Sequence, residues 1–385
     1  MSNIGLIYRQ LQQHLDKQPV GYPKTFSGVE LKLLKHIFSP EEAELAMNLD
    51  YKFRPASHII AKIDNADLSV DVLEKKLFDL ARKGGVSYRD KEGTDTFALI
   101  PLIVGMYEGF LDQLSPEFLK DFRKYTNSLP FGLSFLSTNR AQMRTIPVEE
   151  SVSPENRIST FDEVIHLLEN SEGPFAAIEC ICRKAASIDG DPCRATDRKE
   201  TCMTVNGLAK GVLKAEIGTE MSKDEAISLI RKNTEEGLIL QPSNTKDIEF
   251  ICSCCGCCCG MLGVHKKLPN PADYWPTNFF AQIDYDACNG CGVCARTCQI
   301  EAIKFKKNKG KQNSVKVNLK RCLGCGNCVV ACKFEGIHLK KKVVEKIPPE
   351  NHDDLYDTIM QNKNDKWHNV KTVSKAILGL PGDNY

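Results

Sequence analysis

Eight cysteines near the C-terminal end of this 385-residue chain follow one spacing twice, C-x2-C-x2-C-x3-C. The first set is Cys288, Cys291, Cys294 and Cys298; the second is Cys322, Cys325, Cys328 and Cys332. Thiolates are the ligands of iron–sulfur clusters, and this spacing belongs to proteins that hold two [4Fe-4S] clusters and pass electrons singly. Three cysteines two residues apart wrap a loop around one cubane, so three thiolates reach three irons. The fourth opens the next helix and points away. Two zinc sites are the rival reading, because four thiolates also suit zinc. Zinc sites rarely use so tight a run of four cysteines twice, and disulfides fit less well still.

The segments 288–303 and 322–337 align without gaps at an offset of 34, with eight of sixteen positions identical, which points to an internal duplication. Gly290, Gly292, Gly324 and Gly326 stand between ligands, where the backbone must approach a cluster and positive φ costs glycine little. Short apolar segments precede each copy (Gln282–Tyr285, Val315–Leu319) and follow it (Ala302–Phe305, Gly336–Leu339). That pattern predicts strand, cluster loop, short helix and strand, twice. Over residues 281–342 the chain resembles the bacterial two-cluster ferredoxins. The resemblance implies the ferredoxin fold, an electron-carrier role and crossed ligation. Cys288, Cys291, Cys294 and Cys332 would then hold cluster 1, and Cys322, Cys325, Cys328 and Cys298 cluster 2. One departure stands out: where ferredoxins usually carry proline after the fourth cysteine, this chain has Gln299 and Lys333.

The length suggests two or three domains. Hydrophobic residues make up 42% and charged residues 26%, ordinary for a globular protein, but 18 cysteines is far above ordinary. Outside an oxidising compartment such enrichment means metal. The N-terminal segment lacks the basic start and apolar core of a secretion signal. The longest apolar run, Phe97–Met106, is broken by Pro101 and too short for a bilayer. The expectation is a cytoplasmic protein of an anaerobe. The net charge of +1 conceals an asymmetry: residues 1–150 carry −1, residues 151–298 carry −6 and residues 299–385 carry +8.

Residues 39–105 read as a winged helix within a first domain spanning 1–145. Ser39-Pro40-Glu41-Glu42 is a helix start, continuing through Ala43 to Leu49. A second helix fits Ala56–Ile63. Ser69 caps a third, with Val72, Leu73, Leu77 and Leu80 on one face and Gly84-Gly85 at its end. Val86–Arg89 and Thr96–Ile100 flank a wing at Asp90–Asp95, and helices follow near Met106–Leu114 and Pro116–Leu129. The third helix mixes Lys75, Lys76, Arg82 and Lys83 with Asp71, Glu74 and Asp79. A DNA-binding helix should present a basic face, so a protein-interaction module is the favoured reading and nucleic acid a poor one.

Residues 146–280 form a cysteine-rich middle domain. The stretch Arg144–Val152 looks like an extended linker that Pro154 continues. A helix is expected at Thr160–Asn170, a strand at Pro174–Ile178 and a helix at Ser222–Glu236. Cys180, Cys182, Cys193 and Cys202 come first; six more, Cys252, Cys254, Cys255, Cys257, Cys258 and Cys259, crowd into eight residues. No packed core asks for such a run. Neighbouring side chains diverge, so it suits two metal sites side by side or a cluster of unusual shape, and the two groups can exchange ligands as ferredoxin halves do. Cys-Cys-Gly occurs twice in it, similar to the motif of heterodisulfide-reductase-type proteins, whose clusters are non-cubane. One or two additional iron–sulfur clusters are expected, with zinc or metal-free redox thiols as the alternatives. Arg183, Lys184, Arg194 and Arg198 are candidates to offset cluster charge.

Three segments, the Ser27–Ala46 stretch, the CICRK at 180–184 and the CSCCGCCC at 252–259, together with the C-terminal cysteines, resemble a group of multidomain ferredoxin-like proteins of anaerobes. That resemblance implies an electron-transfer component of anaerobic metabolism. Lys304, Lys306, Lys307, Lys309, Lys311, Lys316, Lys320 and Arg321 form a basic excursion, read equally as a steering surface for an acidic redox partner and as a solvated hairpin. Residues 343–385 read as a helical tail, with Val370, Val373 and Ile377 sharing one face of a helix at Trp367–Leu378. No Gly-rich nucleotide loop or catalytic constellation is present, and His265 reads as structural. The overall expectation is an α+β multidomain protein: a non-catalytic carrier of single electrons between redox partner proteins. The alternatives are a reductase subunit whose middle cluster reduces substrate, and a redox-sensing regulator acting through the winged helix. No feature sets an oligomeric state.

Overall fold

The computed structural model describes residues 3–64, 67–138, 140–152, 159–308, 313–363 and 366–380. Pro154, Lys309 and Lys311 lie outside the described residues. The chain is a mixed helix and strand protein built in several layers.

The N-terminal body opens with helices Asn3–Asp16 and Val29–Ile37. Helix Pro40–Ala46 begins in a capping box, in which the Ser39 hydroxyl accepts from Glu42 N–H and the Glu42 carboxylate accepts from Ser39 N–H. Short turns at Ala56–Ile59 and Ile60–Lys62 lead to helix Val70–Arg82, capped by Ser69 and burying Leu73, Leu77 and Leu80. Strands β1 (Arg54–Pro55), β2 (Ser87–Lys91) and β3 (Thr94–Ala98) form an antiparallel sheet in the order β1-β3-β2. The hairpin turn is shorter than the sequence suggests. Glu92 and Gly93 both take positive φ, 53° and 81°, so two residues close what looked like a six-residue wing. The core of this body includes Leu11, Leu33, Ile37, Phe38, Leu77, Phe97, Phe118 and Tyr125.

The middle of the chain forms a five-stranded antiparallel sheet from β4 (Phe175–Glu179), β5 (Glu200–Val205), β6 (Thr219–Met221), β7 (Ile239–Pro242) and β8 (Phe250–Cys254). Its order is β6-β4-β5-β8-β7. Register is set by pairs such as Ala177 with Met203, Met203 with Ile251, and Leu240 with Ser253. Helix Lys223–Glu235, with its own capping box at Ser222 and Glu225, buries Ala226, Ile230 and Asn233. Burying a side chain of Ile230's size contributes about 2 kcal/mol. Helix Asn206–Lys214 packs on both β5 and β2, joining the sheet to the N-terminal body. The stretch that reads as a linker is instead buried. Arg144 N–H bonds to Pro242 O, Ile146 N–H to Leu240 O and Val148 N–H to Cys325 O, because a backbone passing between two layers must find partners for its polar groups.

The last layers hold strand β9 (Phe279–Ile283) paired with β12 (Ile337–Lys341), and a hairpin of β10 (Ile303–Lys306) with β11 (Ser314–Val317). Each copy of the duplicated segment carries one short helix, Val293–Thr297 and Asn327–Val330. A helix not foreseen in the tail, His352–Lys363, buries Leu355, Tyr356 and Ile359. Helix Lys366–Leu378 follows. Val370 and Ile377 are exposed, while Thr372 and Ala376 are buried where the helix meets Leu129–Ser137. Small side chains four residues apart let the two helices approach closely. No helix among the described residues is long and apolar enough to cross a membrane.

Candidate iron–sulfur and metal centres

The duplicated cysteine loops lie side by side. The Cys294 thiol interacts with those of Cys288, Cys291 and Cys332. Cys325 and Cys328 interact with Cys322 and Cys298, and Cys328 also senses Cys294. The structure thus brings Cys332 to the first three cysteines and Cys298 to the second three. The glycines between them have φ of 71°, 73°, 63° and 84° at Gly290, Gly292, Gly324 and Gly326. At Gly324 a Cβ would come within 2.2 Å of Phe279 O, and at Gly292 within 2.7 Å of the Phe305 ring. A side chain there would push the loop off its strand.

These donor sets fit [4Fe-4S] groups. Ala281 N–H donates to Cys322 Sγ at 3.3 Å and Ala302 N–H to Cys298 Sγ at 3.2 Å, bonds that favour thiolate. Burial works the other way, pushing the Cys325 thiol up to about 12 and raising Cys294, Cys322 and Cys328. Ionisation of such closely gathered thiols requires a cation to replace their protons. The two sets differ in access: Cys291 is exposed, whereas Cys322 and Cys328 are buried.

The ten middle cysteines sort into two sets that each draw on both groups of the sequence. Cys193, Cys255, Cys257 and Cys258 have sulfurs all within 4.8 Å of one another. Individual separations are 3.6 Å for Cys193–Cys255, 3.8 Å for Cys193–Cys257, 3.4 Å for Cys255–Cys257 and 3.6 Å for Cys257–Cys258. Adjacent cysteines were expected to diverge; the turn after β8 folds Cys257 and Cys258 to the same point. The other six close a ring of thiol contacts: Cys180 to Cys182, Cys182 to Cys259, Cys259 to Cys254, Cys254 to Cys252, Cys252 to Cys202, and Cys202 back to Cys180.

Local structure explains the ring. Cys202, Cys252 and Cys254 lie on neighbouring strands β5 and β8. Cys180 and Cys259 sit at the N-caps of helices Ile181–Ile188 and Gly260–Lys267. Thiol contacts from Cys182 and Cys254 hold Cys259 well below its ordinary value, helped by the N–H groups of Met261 and Leu262. Contacts from Cys202 and Cys254 hold Cys252 at about 6, while Cys180 and Cys202 are pushed up to about 12. Within the ring, Cys252 and Cys259 are thus the thiols whose neighbours favour the thiolate.

The ring borders a cavity of about 220 Å³ between the N-terminal body and the middle sheet, lined largely by apolar side chains. Glu108, Glu179 and Glu249 all reach it; Glu108 is pushed up to about 7 by burial, and its carboxylate accepts from Gly105 N–H at 2.7 Å. Neither the cavity nor Glu108 was visible in the sequence, because they arise from segments far apart in it. Among the four basic residues singled out, Arg183 alone meets the thiols, its Nε donating to Cys193 Sγ at 3.4 Å. Lys184 pairs with Glu179 and Asp112, Arg198 with Glu236, and Arg194 is exposed. His265 is buried edge-on against Trp275, with no hydrogen-bond partner at Nδ1 among the described residues.

The ferredoxin-like and cysteine-rich parts meet at Gln299, the residue in place of the usual proline. Its Oε1 accepts from Gly256 N–H at 2.8 Å and its Nε2 donates to Gly237 O at 3.2 Å. Asn327, from the second copy, donates to the same Gly237 carbonyl at 2.6 Å. A Cβ on Gly256 would stand 2.1 Å from Gln299 O, so glycine is required at this junction.

Comparison with known proteins agrees with the C-terminal reading. Residues 287–335 match the family described as the 4Fe-4S dicluster domain. A 28-residue stretch is 54% identical to pyruvate synthase subunit PorD of Methanothermobacter marburgensis, covering 7% of this chain and 35% of that protein. No solved structure matches. Residues 287–335 thus form a 4Fe-4S ferredoxin-type domain, and the match to the relative spans about a third of that protein's length.

Proposed function

We propose that this chain is the electron-transfer component of an anaerobic oxidoreductase complex. Cys288, Cys291, Cys294 and Cys332 hold one [4Fe-4S] group, Cys322, Cys325, Cys328 and Cys298 hold the second, and the ten middle cysteines hold further metal. When bound, each such group accepts and releases one electron. The polypeptide sets the order. Cys291 faces solvent, Cys322 and Cys328 are buried, and Cys298 is joined through Gln299 and one hydrogen bond to the Cys255–Cys259 turn. That junction is the observation that carries the reading, because a free-standing ferredoxin domain would have no reason to bond to a second set of thiols. The relative named above is a subunit of pyruvate synthase, which supports a place in a multisubunit redox enzyme. Exposed Lys304, Lys306, Lys307, Lys316 and Lys320 would steer an acidic partner toward the outer centre. Arg321 is already committed to Leu268 O and Lys266 O.

We read the N-terminal helices and the β1–β3 sheet as a winged-helix-like docking module. The hairpin residues Asp90 and Asp95 are paired with Lys210 and Lys214 of the same chain at 2.7 and 2.6 Å, which ties the module to the cysteine-rich sheet. The cavity beside the six-thiol ring favours a second reading, a reductase subunit whose middle centre reduces a small apolar substrate. Iron and sulfide per chain, measured on anaerobically purified protein with EPR of the dithionite-reduced form, test the main reading. About eight irons with paired cubane signals are the minimum it requires; far fewer would overturn it. Turnover of a disulfide or similar acceptor without a partner protein would shift the conclusion to the reductase.

A further inference from the structure

The ten middle cysteines are not equivalent as metal sites, and their separations say how. A single ion held tetrahedrally at the usual zinc–sulfur length of about 2.3 Å places its sulfurs about 3.8 Å apart. Cys193–Cys255, Cys193–Cys257, Cys255–Cys257 and Cys257–Cys258 are separated by 3.4 to 3.8 Å. A cubane puts each thiolate on a different iron and needs its four sulfurs farther apart. The molecule contains its own standard for that comparison. Among the described residues, neither ferredoxin-type quartet draws its sulfurs within 4.8 Å of one another, and neither does the six-thiol ring.

We infer that Cys193, Cys255, Cys257 and Cys258 form a mononuclear site for one tetrahedral divalent ion of the zinc or ferrous class, separate from a polynuclear centre in the ring of Cys180, Cys182, Cys202, Cys252, Cys254 and Cys259. This rests on the reading that the middle cysteines bind metal, and it divides them. The charge balance supports it. Four thiolates and one divalent ion leave two negative charges, and the Arg183 guanidinium lies against Cys193. Arg183 is itself held by Thr201 Oγ1 and, at 3.0 Å, by Ser253 O. Backbone geometry supports it as well: the Cys255–Cys258 turn is closed by Cys259 N–H bonding to Cys255 O at 3.1 Å, which gathers three ligands without help from distant chain. Cys193, on the loop before β5, completes the tetrahedron. The ion displaces the thiol protons to solvent, and no electron changes hands on binding.

The test uses the full chain, purified without oxygen, with zinc, iron and acid-labile sulfide counted per chain. Cys258→Ser and Cys193→Ser should each remove one metal ion and no sulfide, while EPR of the two ferredoxin-type centres persists. Cys202→Ser should remove iron together with sulfide and leave the single ion in place. Two arms separate the occupants. Zinc lost from the Cys258→Ser protein identifies a silent closed site; iron lost without sulfide, along with a high-spin ferric signal, identifies a mononuclear iron site. X-ray absorption of the unmodified protein, with four sulfurs at about 2.3 Å and no metal neighbour in the zinc arm, stands if a variant fails to fold. Loss of iron and sulfide in equal number from Cys258→Ser, or loss of the same ion from Cys202→Ser, overturns the division. The ferredoxin-type EPR signals report on the electron-transfer reading separately, so the two can fail independently.

Discussion

At the scale of residues, Gln299 accounts for the departure from the ferredoxin pattern. A proline there would carry no side-chain polar group to meet Gly256 N–H and Gly237 O. Gln299→Ala should leave both [4Fe-4S] signals intact and cost about 1–2 kcal/mol, the net worth of two hydrogen bonds. Because it breaks the junction, electron equilibration between the ferredoxin-type centres and the middle metal should slow, measured by stopped-flow absorption after mixing with reductant. Unchanged rates would separate the junction from electron flow. His265 gives a prediction with a definite sign. Burial against Trp275 lowers its pKa to about 4, below the ordinary 6.5, so the folded chain binds fewer protons than the unfolded chain between those values. Stability from this group is complete above pH 6.5 and falls as pH drops toward 4, by about 2 kcal/mol between pH 7 and 5. His265→Phe keeps an aromatic ring beside Trp275 and should flatten that slope in chemical denaturation; an unchanged slope would assign the titration elsewhere. The ligand residues and their glycines were legible in the sequence because spacing alone encodes them. Gln299 was legible only as an oddity, since its partners lie 43 and 62 positions away.

At the scale of elements, the junction between β2 and helix Asn206–Lys214 is the main device joining the N-terminal body to the cysteine-rich sheet. Gly211 lets the two touch: a Cβ there would lie 2.8 Å from Tyr88 O. Lys210 and Lys214 then pair with Asp90 and Asp95, and Arg89 reaches Glu249 just before β8. The paired charges at Glu249, which include His352 of the tail, hold its carboxyl at about 2 against the pull of burial. Gly211→Val should overpack this contact at a cost of roughly 1–3 kcal/mol and expose the hairpin to limited proteolysis; a protected hairpin would show that the ion pairs suffice. Local signals announced most elements correctly. Serine caps and apolar spacing marked helices Pro40–Ala46, Val70–Arg82 and Lys223–Glu235 to within a few residues. They failed where tertiary contact decides. The buried stretch Arg144–Val152 has no periodic pattern, and the tail helix turns Thr372 and Ala376 inward rather than Val370 and Ile377. The sorting of ten cysteines into four and six was beyond local reading altogether, since each set combines β5 or its preceding loop with the β8 turn.

At the scale of the whole molecule, thiols are arranged along a gradient of access. Cys291 is open to solvent, the Cys322 set is covered by β9 and the Arg144–Val152 stretch, and four of the six ring thiols, Cys180, Cys202, Cys254 and Cys259, are buried. Access governs damage as well as electron exchange, because oxidants and chelators must reach metal or ligand to act. Exposure of the proposed reduced holoprotein to air and an iron chelator should therefore bleach the centre at Cys288, Cys291, Cys294 and Cys332 first. The centre at Cys322, Cys325, Cys328 and Cys298 should follow more slowly, and metal held by the ring, most of whose thiols are buried, last. Timed EPR and metal counts read that order directly. Val148 N–H, which bonds to Cys325 O at 3.0 Å, and Ser151, which lies where a Cβ on Gly326 would sit, form part of the cover over the second centre. A Val148→Pro variant removes that bond and should bring the second centre's loss closer in time to the first without accelerating the first. Simultaneous loss of all centres in the unmodified protein would mean that the chain opens as a unit before any metal leaves, and would contradict an ordered path from surface to cavity.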